Sequence, residues 1–464
     1  MTQHSAFAFS SPAARLTRRA FVSGTVGTAG ALLLAACSGG GGSTSAPTVT
    51  KGPVKLDAAK LSVSWWGADD RTQKTLAALK LYTQKHPDIT FQSSYGGIVG
   101  YQDKMVTQFS GGNGPDFMQV SDRLPFIANN QLLNLDPYIK AGRLNLTGAN
   151  EATLNAQRVD GKLYTLPWGL ASNCFYYNKA LFQDAGVPEP KNGWTWDDYV
   201  DTIKALTAGS SGVFGSEDIW APAGTMSWQP FQLFLLSRNI QPYKSGGKEF
   251  NFTSDILTEW LDFWQGLRKD GYLPPAAQTA EENAIQTSPF VKRKTALYPI
   301  NSSIATSLQG LMKDELGVVT MPSGSTSSQN LSGDRFGGYV NTSIIVGVNA
   351  ATKHPDDVID VINFLLTDPE ANKTTLMARG VPLTEAAATL VTPLVSPIER
   401  SMADVISYVQ KNAVDDVQAF PDTDGQIGTL MQNTQQAVAY GKQSIKDAAS
   451  SFFTQGKTLL ASAS

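Results

Sequence analysis

The 464 residues carry 37 Lys and Arg against 40 Asp and Glu, a formal net charge of −3, and 42% of them are hydrophobic. That is the apolar content of a globular protein, and an acidic balance offers nothing to neutralise a run of phosphates, which excludes nucleic acid as a partner. With two cysteines and three histidines, neither a histidine-based metal site nor a catalytic triad is expected, so no metal, cofactor or catalytic residue is assigned.

Residues 1–36 contain Arg15, Arg18 and Arg19 and no acidic residue. Val22–Ala36 follows as a small, moderately apolar run that ends in Leu34-Ala35-Ala36-Cys37. At roughly 15 residues it is too short and too glycine-rich to span a bilayer, which takes about 20. A basic stretch, an apolar stretch and small residues before a cysteine is the order of an export signal. Thr17-Arg18-Arg19-Ala20-Phe21 resembles a twin-arginine address, and Leu-Ala-Ala-Cys resembles the lipobox of bacterial lipoproteins. The expectation is a signal peptide over 1–36, a lipidated Cys37 with a flexible tether through residue 54, and a chain anchored outside the cytoplasmic membrane. Each buried methylene contributes about 0.8 kcal/mol, so more than one acyl chain makes such an anchor stable. Losing three arginines and no acid takes the net charge from −3 to −6.

Roughly 410 residues remain, too many for one hydrophobic core and suited to two lobes of about 200. Leu61–Trp66 predicts a strand ending in a Gly-Ala-Asp-Asp turn, and Thr72–Lys85 a helix stopped by Pro87. Ile89–Ser93 is a second strand, Asp103–Phe109 a helix, and Asp116–Val120 a third strand. That alternation is the pattern of a parallel α/β sheet, whose ligands sit beyond the carboxyl ends of its strands. The rule selects Trp66 to Asp70 and Ser121 to Arg123. Gly161–Trp168 is hairpin-like, Cys174–Tyr177 is a strand, and Thr195-Trp196-Asp197-Asp198 is a capping box opening a helix to Leu206. Ser254–Lys269 and Asp356–Leu366 are amphipathic helices, and Gln426–Phe453 holds one or two more.

If Cys37 is acylated, Cys174 has no disulfide partner and reads as a buried, inert thiol. All nine tryptophans lie between 65 and 264. Trp194, Trp196, Trp260 and Trp264 have the spacing of packing residues. Trp65 and Trp66 face opposite sides of one strand, which leaves Trp66 for a cleft. Trp168, Trp220 and Trp228 stand in loop-like surroundings, where platform and ordinary packing are equally open. Asn173 and Asn301 are polar candidates at strand ends. Tyr339 follows Gly337-Gly338, where backbone can approach a ligand closely. Arg379, just beyond a helix, can clamp hydroxyls or cap helix carbonyls.

Several landmarks stand in a telling order: GPDFMQV (114–120), LLNLDPY (132–138), DGKLYTLPWG (160–169), YNKALF (177–182), AGVP (185–188), TWDDY (195–199), FVKRKTA (290–296), MPSG (321–324), Gly337-Gly338, KHP (353–355) and RGVP (379–382). Together they resemble extracellular solute-binding protein family 1, the maltose-binding-protein-like lipoproteins that serve ABC sugar importers, over nearly all of residues 60–390. The resemblance implies an α/β fold of two lobes, the type II periplasmic-binding-protein fold, each lobe a sheet flanked by helices and hinged around a cleft. It implies an N-terminal lobe of 55–170 and 323–387 and a C-terminal lobe of 171–322 and 388–464. A monomer would capture a sugar or oligosaccharide by lobe closure and hand it to the transmembrane subunits of a permease, making and breaking no bond. Asp69 and Asp70 match the family's acidic loop after the first strand, Asp122-Arg123 a polar pair after the third, and Trp228-Gln229 a ligand-contacting helix start. The chain departs from maltose-binding relatives at WGLASN (168–173), which carries no acid and argues against maltose. A glycerophosphodiester or polyamine on the same fold remains an alternative, as does, further off, a polysaccharide-degrading enzyme, which would need paired carboxylates.

Overall fold

The computed structural model describes residues 49, 51–52, 55–98, 100–120, 122–221, 227–282, 284–324, 336–340, 344–413, 417, 420–421 and 423–462. The export signal, Cys37 and most of the tether lie outside the described residues.

Ten strands follow in chain order: β1 Ala59–Trp66, β2 Ile89–Gly96, β3 Phe117–Val120, β4 Arg158–Val159, β5 Lys162–Leu163, β6 Thr165–Pro167, β7 Asn173–Asn178, β8 Leu297–Asn301, β9 Leu316–Thr320 and β10 Ile345–Val348. One sheet has the order β2-β1-β3-β10-β6. Its first three strands are parallel, Ala59 opposite Ile89 and Val63 opposite Phe117, as the helical crossovers between them require. The late strand β10 inserts antiparallel between β3 and β6, Ile345 lying opposite both Val120 and Pro167. A second sheet, β8-β7-β9, is antiparallel throughout, and β4 and β5 form a two-stranded sheet of their own.

Alternation along β1 and β7 distributes the core. Leu61, Val63 and Trp65 join a cluster that continues through Leu166, Trp168 and Leu170 to Cys174 and Tyr176 on one face of β7. Phe175 and Tyr177, on the opposite face, belong to a second cluster with Trp194, Trp196, Trp228, Trp260 and Trp264. The far face of β1 places Trp66 with Tyr101, Met105 and Phe126. Fully burying one such side chain contributes about 1.5–3 kcal/mol. The chain passes between the sheets at 168–172, again between β9 and β10, and a third time before the helix Pro397–Asn412, which packs under β9.

Local chemistry explains the element ends. Thr195 Oγ1 accepts from Asp198 N at 3.1 Å while Asp198 Oδ2 accepts from Thr195 N at 2.8 Å, the capping box expected of that sequence. The first long helix runs Asp69–Lys85, three residues longer at its start than its apolar spacing predicts. Asp69 and Asp70 therefore form its first turn rather than a loop, a position where acidic side chains stabilise the helix by about 0.3–1 kcal/mol. The hairpin also starts earlier than expected: β4 and β5 turn through Asp160 (φ 49°) and Gly161 (φ 72°), the left-handed pair a two-residue turn demands. The C-terminal region forms two helices, Asp424–Ala439 and Ile445–Ala461. Among the described residues no helix is long and apolar enough to cross a membrane.

Candidate functional site

At the carboxyl end of the parallel strands, β1 delivers Trp66, whose ring lies 5.0 Å from that of Tyr101. Gly67 follows, and a Cβ there would meet Arg71 Cδ at 2.5 Å, so the Arg71 stem lies flat on the turn. Arg71 Nε donates to the Ala378 carbonyl at 2.8 Å. The next residue, Arg379, is buried: one guanidinium nitrogen donates to Gln119 Oε1 on β3, another to Thr75 Oγ1 at 2.9 Å, and its plane lies 3.8 Å from the Trp168 ring. Burial, then the neighbouring Arg71, pulls the Arg379 pKa well below the ordinary arginine value. Burial likewise lowers Arg71, to about 10, against the pull of Asp70. Asp70 itself pairs with Lys74 at 3.1 Å, and Asp69 is exposed. Beyond β3, Asp122 Oδ1 accepts from Leu124 N, its carbonyl accepts from Gln102, and Arg123 donates to the Ala156 carbonyl at 3.0 Å.

A second group forms where the sheets are joined. Asn173 lies opposite Asn301 in register. Ser172 Oγ donates to the Tyr339 carbonyl at 3.0 Å, and Ser172 N donates to Ser302 Oγ at 3.1 Å. Asn301 Oδ1 accepts from Ser303 N, so this side chain caps the turn that follows it. The expected glycines lie tight against protein: a Cβ on Gly337 would meet the Leu233 carbonyl oxygen at 2.1 Å, and one on Gly338 the Phe336 ring at 2.3 Å. Tyr339 OH donates to Gln232 Oε1 at 3.4 Å, and Gln232 Nε2 donates to Asp424 Oδ1 at 3.0 Å. The same oxygen accepts from Trp228 Nε1 at 2.7 Å and Tyr243 OH at 2.6 Å. Burial raises the Asp424 pKa, and those three donors oppose the rise.

Trp168 and Arg379 thus meet at one sheet's edge, Trp66 lies with Tyr101 on the far face of β1, and Asn173, Asn301, Gly338 and Tyr339 gather at the joint, with Gln229 at the start of the helix Gln229–Ser237 beside it. Trp220 and Trp228, expected in loop-like surroundings, are fully buried. Trp220 Nε1 donates to Asp218, which also takes two hydrogen bonds from Arg268 at 2.5 and 2.8 Å, and Trp228 sits among Phe231, Tyr243, Phe252 and Phe452. Neither presents a face for stacking. Arg71, Tyr101, Gln232 and Asp424 escaped the sequence reading. Gln119, the one polar residue within the strand FMQV, is the signal that could have located the cluster around Arg379.

Elsewhere, Cys174 Sγ donates to the Ile300 carbonyl, and burial raises its pKa well above the ordinary thiol value, as an inert thiol requires. Glu217 and Glu282 form a buried carboxyl pair: Glu217 Oε1 accepts from Phe290 N, and Glu282 Oε1 from Tyr298 OH. Burial first, and for Glu217 the proximity of Glu282, raises both pKa values. Among the described residues no cluster of three His, Cys, Asp or Glu side chains could hold a metal ion.

Two α/β lobes, with the chain crossing between them and polar and aromatic side chains gathered at the inner strand ends, define a protein of the type II periplasmic-binding class. The chain belongs to the bacterial extracellular solute-binding protein family, whose model matches residues 68–372. An extracellular solute-binding protein family 1 member from Alicyclobacillus acidocaldarius superposes with a TM-score of 0.70 at 25% identity, covering 88% of this chain and 100% of that one. A periplasmic oligogalacturonide binding protein from Yersinia enterocolitica, in complex with saturated digalacturonic acid, shares the fold: TM-score 0.70, 23% identity, 86% of this chain and 98% of that one. Among curated proteins, the sn-glycerol-3-phosphate-binding periplasmic protein UgpB of Brucella abortus is 25% identical over 136 residues, 28% of this chain. The match spans only 30% of that relative's length. All three are binding proteins.

Proposed function

We propose that this chain is the extracytoplasmic solute-binding component of an ABC importer, that its solute is a sugar or oligosaccharide, and that it binds without catalysis. The observation that supports this reading is the pairing of aromatic and planar polar groups at the strand ends: Trp66 on Tyr101, Trp168 under Arg379, and Tyr339 on Gln232. Sugars present apolar C–H faces to aromatic rings and paired hydroxyls to planar polar groups. The proposed lobes are 55–170 with 323–387 and 171–322 with 388–464. Tyr339, counted with the first lobe, donates to Gln232 of the second, so a solute touching both lobes would favour the closed state. Cys37 is proposed as the lipid attachment that keeps a monomeric chain at the membrane, where the permease receives the solute.

A thermal-shift screen of the purified chain against mono- and oligosaccharides, with glycerol phosphates and polyamines included, tests the reading. A ligand at 100 times its dissociation constant adds about 2.7 kcal/mol of stability. A saturable shift with one sugar class is the expected result. Silence across all solutes sinks the proposal, and a shift confined to polyamines replaces the solute while keeping the fold.

A further inference from the structure

The two arginines beside the first strand lack the acid that several other arginines buried in the described structure have. Arg143 pairs with Asp356, Arg238 with Glu259 and Arg268 with Asp218. Arg379 is 5% exposed, and among the described residues no carboxylate lies within ion-pair distance of it or of Arg71. Its partners are neutral: an amide oxygen, a hydroxyl and an indole face. Stripping a guanidinium of water without a counter-charge is costly, and such groups are normally paired. Asp70 is drawn off by Lys74, so the nearest acid does not close the account.

A polar group beside the pair is unfilled as well. A guanidinium only donates, which fixes the orientation of the Gln119 amide: its oxygen faces Arg379, and its Nε2 donor, on the same amide, has no partner although Gln119 is wholly buried. The Ser64 and Tyr101 hydroxyls, 1% and 5% exposed as residues, lie near one another on the opposite face of the sheet, with Trp66 and Met118. Arg379 feels the Tyr101 hydroxyl across the strand ends. Two cations and one unfilled amide donor therefore meet at the carboxyl edge of a parallel sheet, where α/β folds hold ligands.

We infer that this cluster receives an anionic group, a carboxylate or phosphate carried by the solute, with half-buried Arg71 reaching the anion and Arg379 and Gln119 supporting it from beneath. The inference rests on the solute-binding reading and narrows its substrate class to acidic sugars or sugar and polyol phosphates. A bidentate guanidinium–oxyanion contact would complete what the protein leaves open.

Matched pairs test it by thermal shift and titration calorimetry at constant ionic strength: galactose against galacturonate and digalacturonate, glycerol against sn-glycerol 3-phosphate, and inorganic phosphate alone. The expected result is saturable binding of charged members, with their neutral partners weaker by roughly 10- to 100-fold; the carboxylate and phosphate arms separate the two sources. Arg71→Gln and Arg379→Met should each abolish that preference. Arg379→Met keeps an apolar stem on Trp168, and without solute it should melt no lower than the wild type, which a purely structural arginine would not allow. Equal affinity for charged and neutral members overturns the inference and leaves the solute-binding reading intact. An Arg379→Met chain that melts far lower with its anion preference unchanged overturns it too. No response to any compound, phosphate included, overturns both.

Discussion

The polar cluster around Asp424 and the one around Arg379 are both buried, and they are built on opposite terms. In the first, one carboxylate oxygen receives three donors, from Trp228, Gln232 and Tyr243, between 2.6 and 3.0 Å. These hydrogen bonds from within the protein offset part of the cost of burial, and rings pack around the site. In the second, the cation has no acid within ion-pair distance among the described residues, and its partner Gln119 keeps an unfilled donor. A fully satisfied buried network rigidifies a fold, whereas a partly satisfied one costs stability unless something else completes it. The comparison separates a region that holds its lobe together from one that we infer is left open for a solute.

The largest test of this contrast lies in the lobe that carries the satisfied clusters. Asp218→Ala leaves Arg268 buried without its acid and strands the Trp220 indole donor. The expected loss is about 3–5 kcal/mol by urea denaturation. A loss under 1 kcal/mol would put that pair in the same class as Arg379. Asp424→Asn removes the charge but keeps an acceptor, and should cost about 1–3 kcal/mol. Measured beside Arg379→Met, whose expected cost without solute is nil, it bears directly on the comparison: equal costs in the two variants erase the distinction.

The carboxyl pair Glu217–Glu282 adds a dependence on pH. Both folded pKa values are raised, chiefly by burial, so the folded state holds a proton that the unfolded chain releases. The stability this proton supplies is complete below the ordinary glutamate value and is lost as pH rises through the raised folded values. Asp116 runs the other way. Burial pushes its pKa up, but hydrogen bonds from Ser62 and Thr352 outweigh burial and leave it lowered, so its contribution is lost as pH falls. Denaturation midpoints followed across pH should therefore show Glu217→Gln gaining on the wild type as pH rises. Parallel curves for the two proteins would refute a raised Glu217 pKa. The smallest effect is expected for Tyr339→Phe, which removes a single 3.4 Å hydrogen bond. About 0.5–1 kcal/mol of stability should go, while a larger change in solute affinity than in stability would mark Tyr339 as part of the cleft.

Much of this was written locally. The strand–helix–strand order, the Thr195 cap, the Ser254–Lys269 helix and the packing role of Trp194, Trp196, Trp260 and Trp264 follow from periodicity and capping chemistry, which act within a few residues. So does the direction of Trp65 and Trp66 to opposite faces of β1. Spacing says which face of its own element a side chain takes. It does not say which distant segment comes to cover that face, and that is where the sequence reading ended. Tertiary structure alone decided that β10 lies between β3 and β6, that Trp220 and Trp228 are sealed under helices from the far end of the chain, and that Arg379 crosses from beyond residue 375 to lie on Trp168. Whether the charge of Arg379 is answered depends on contacts assembled from four separate stretches of chain, and no local pattern carries that information.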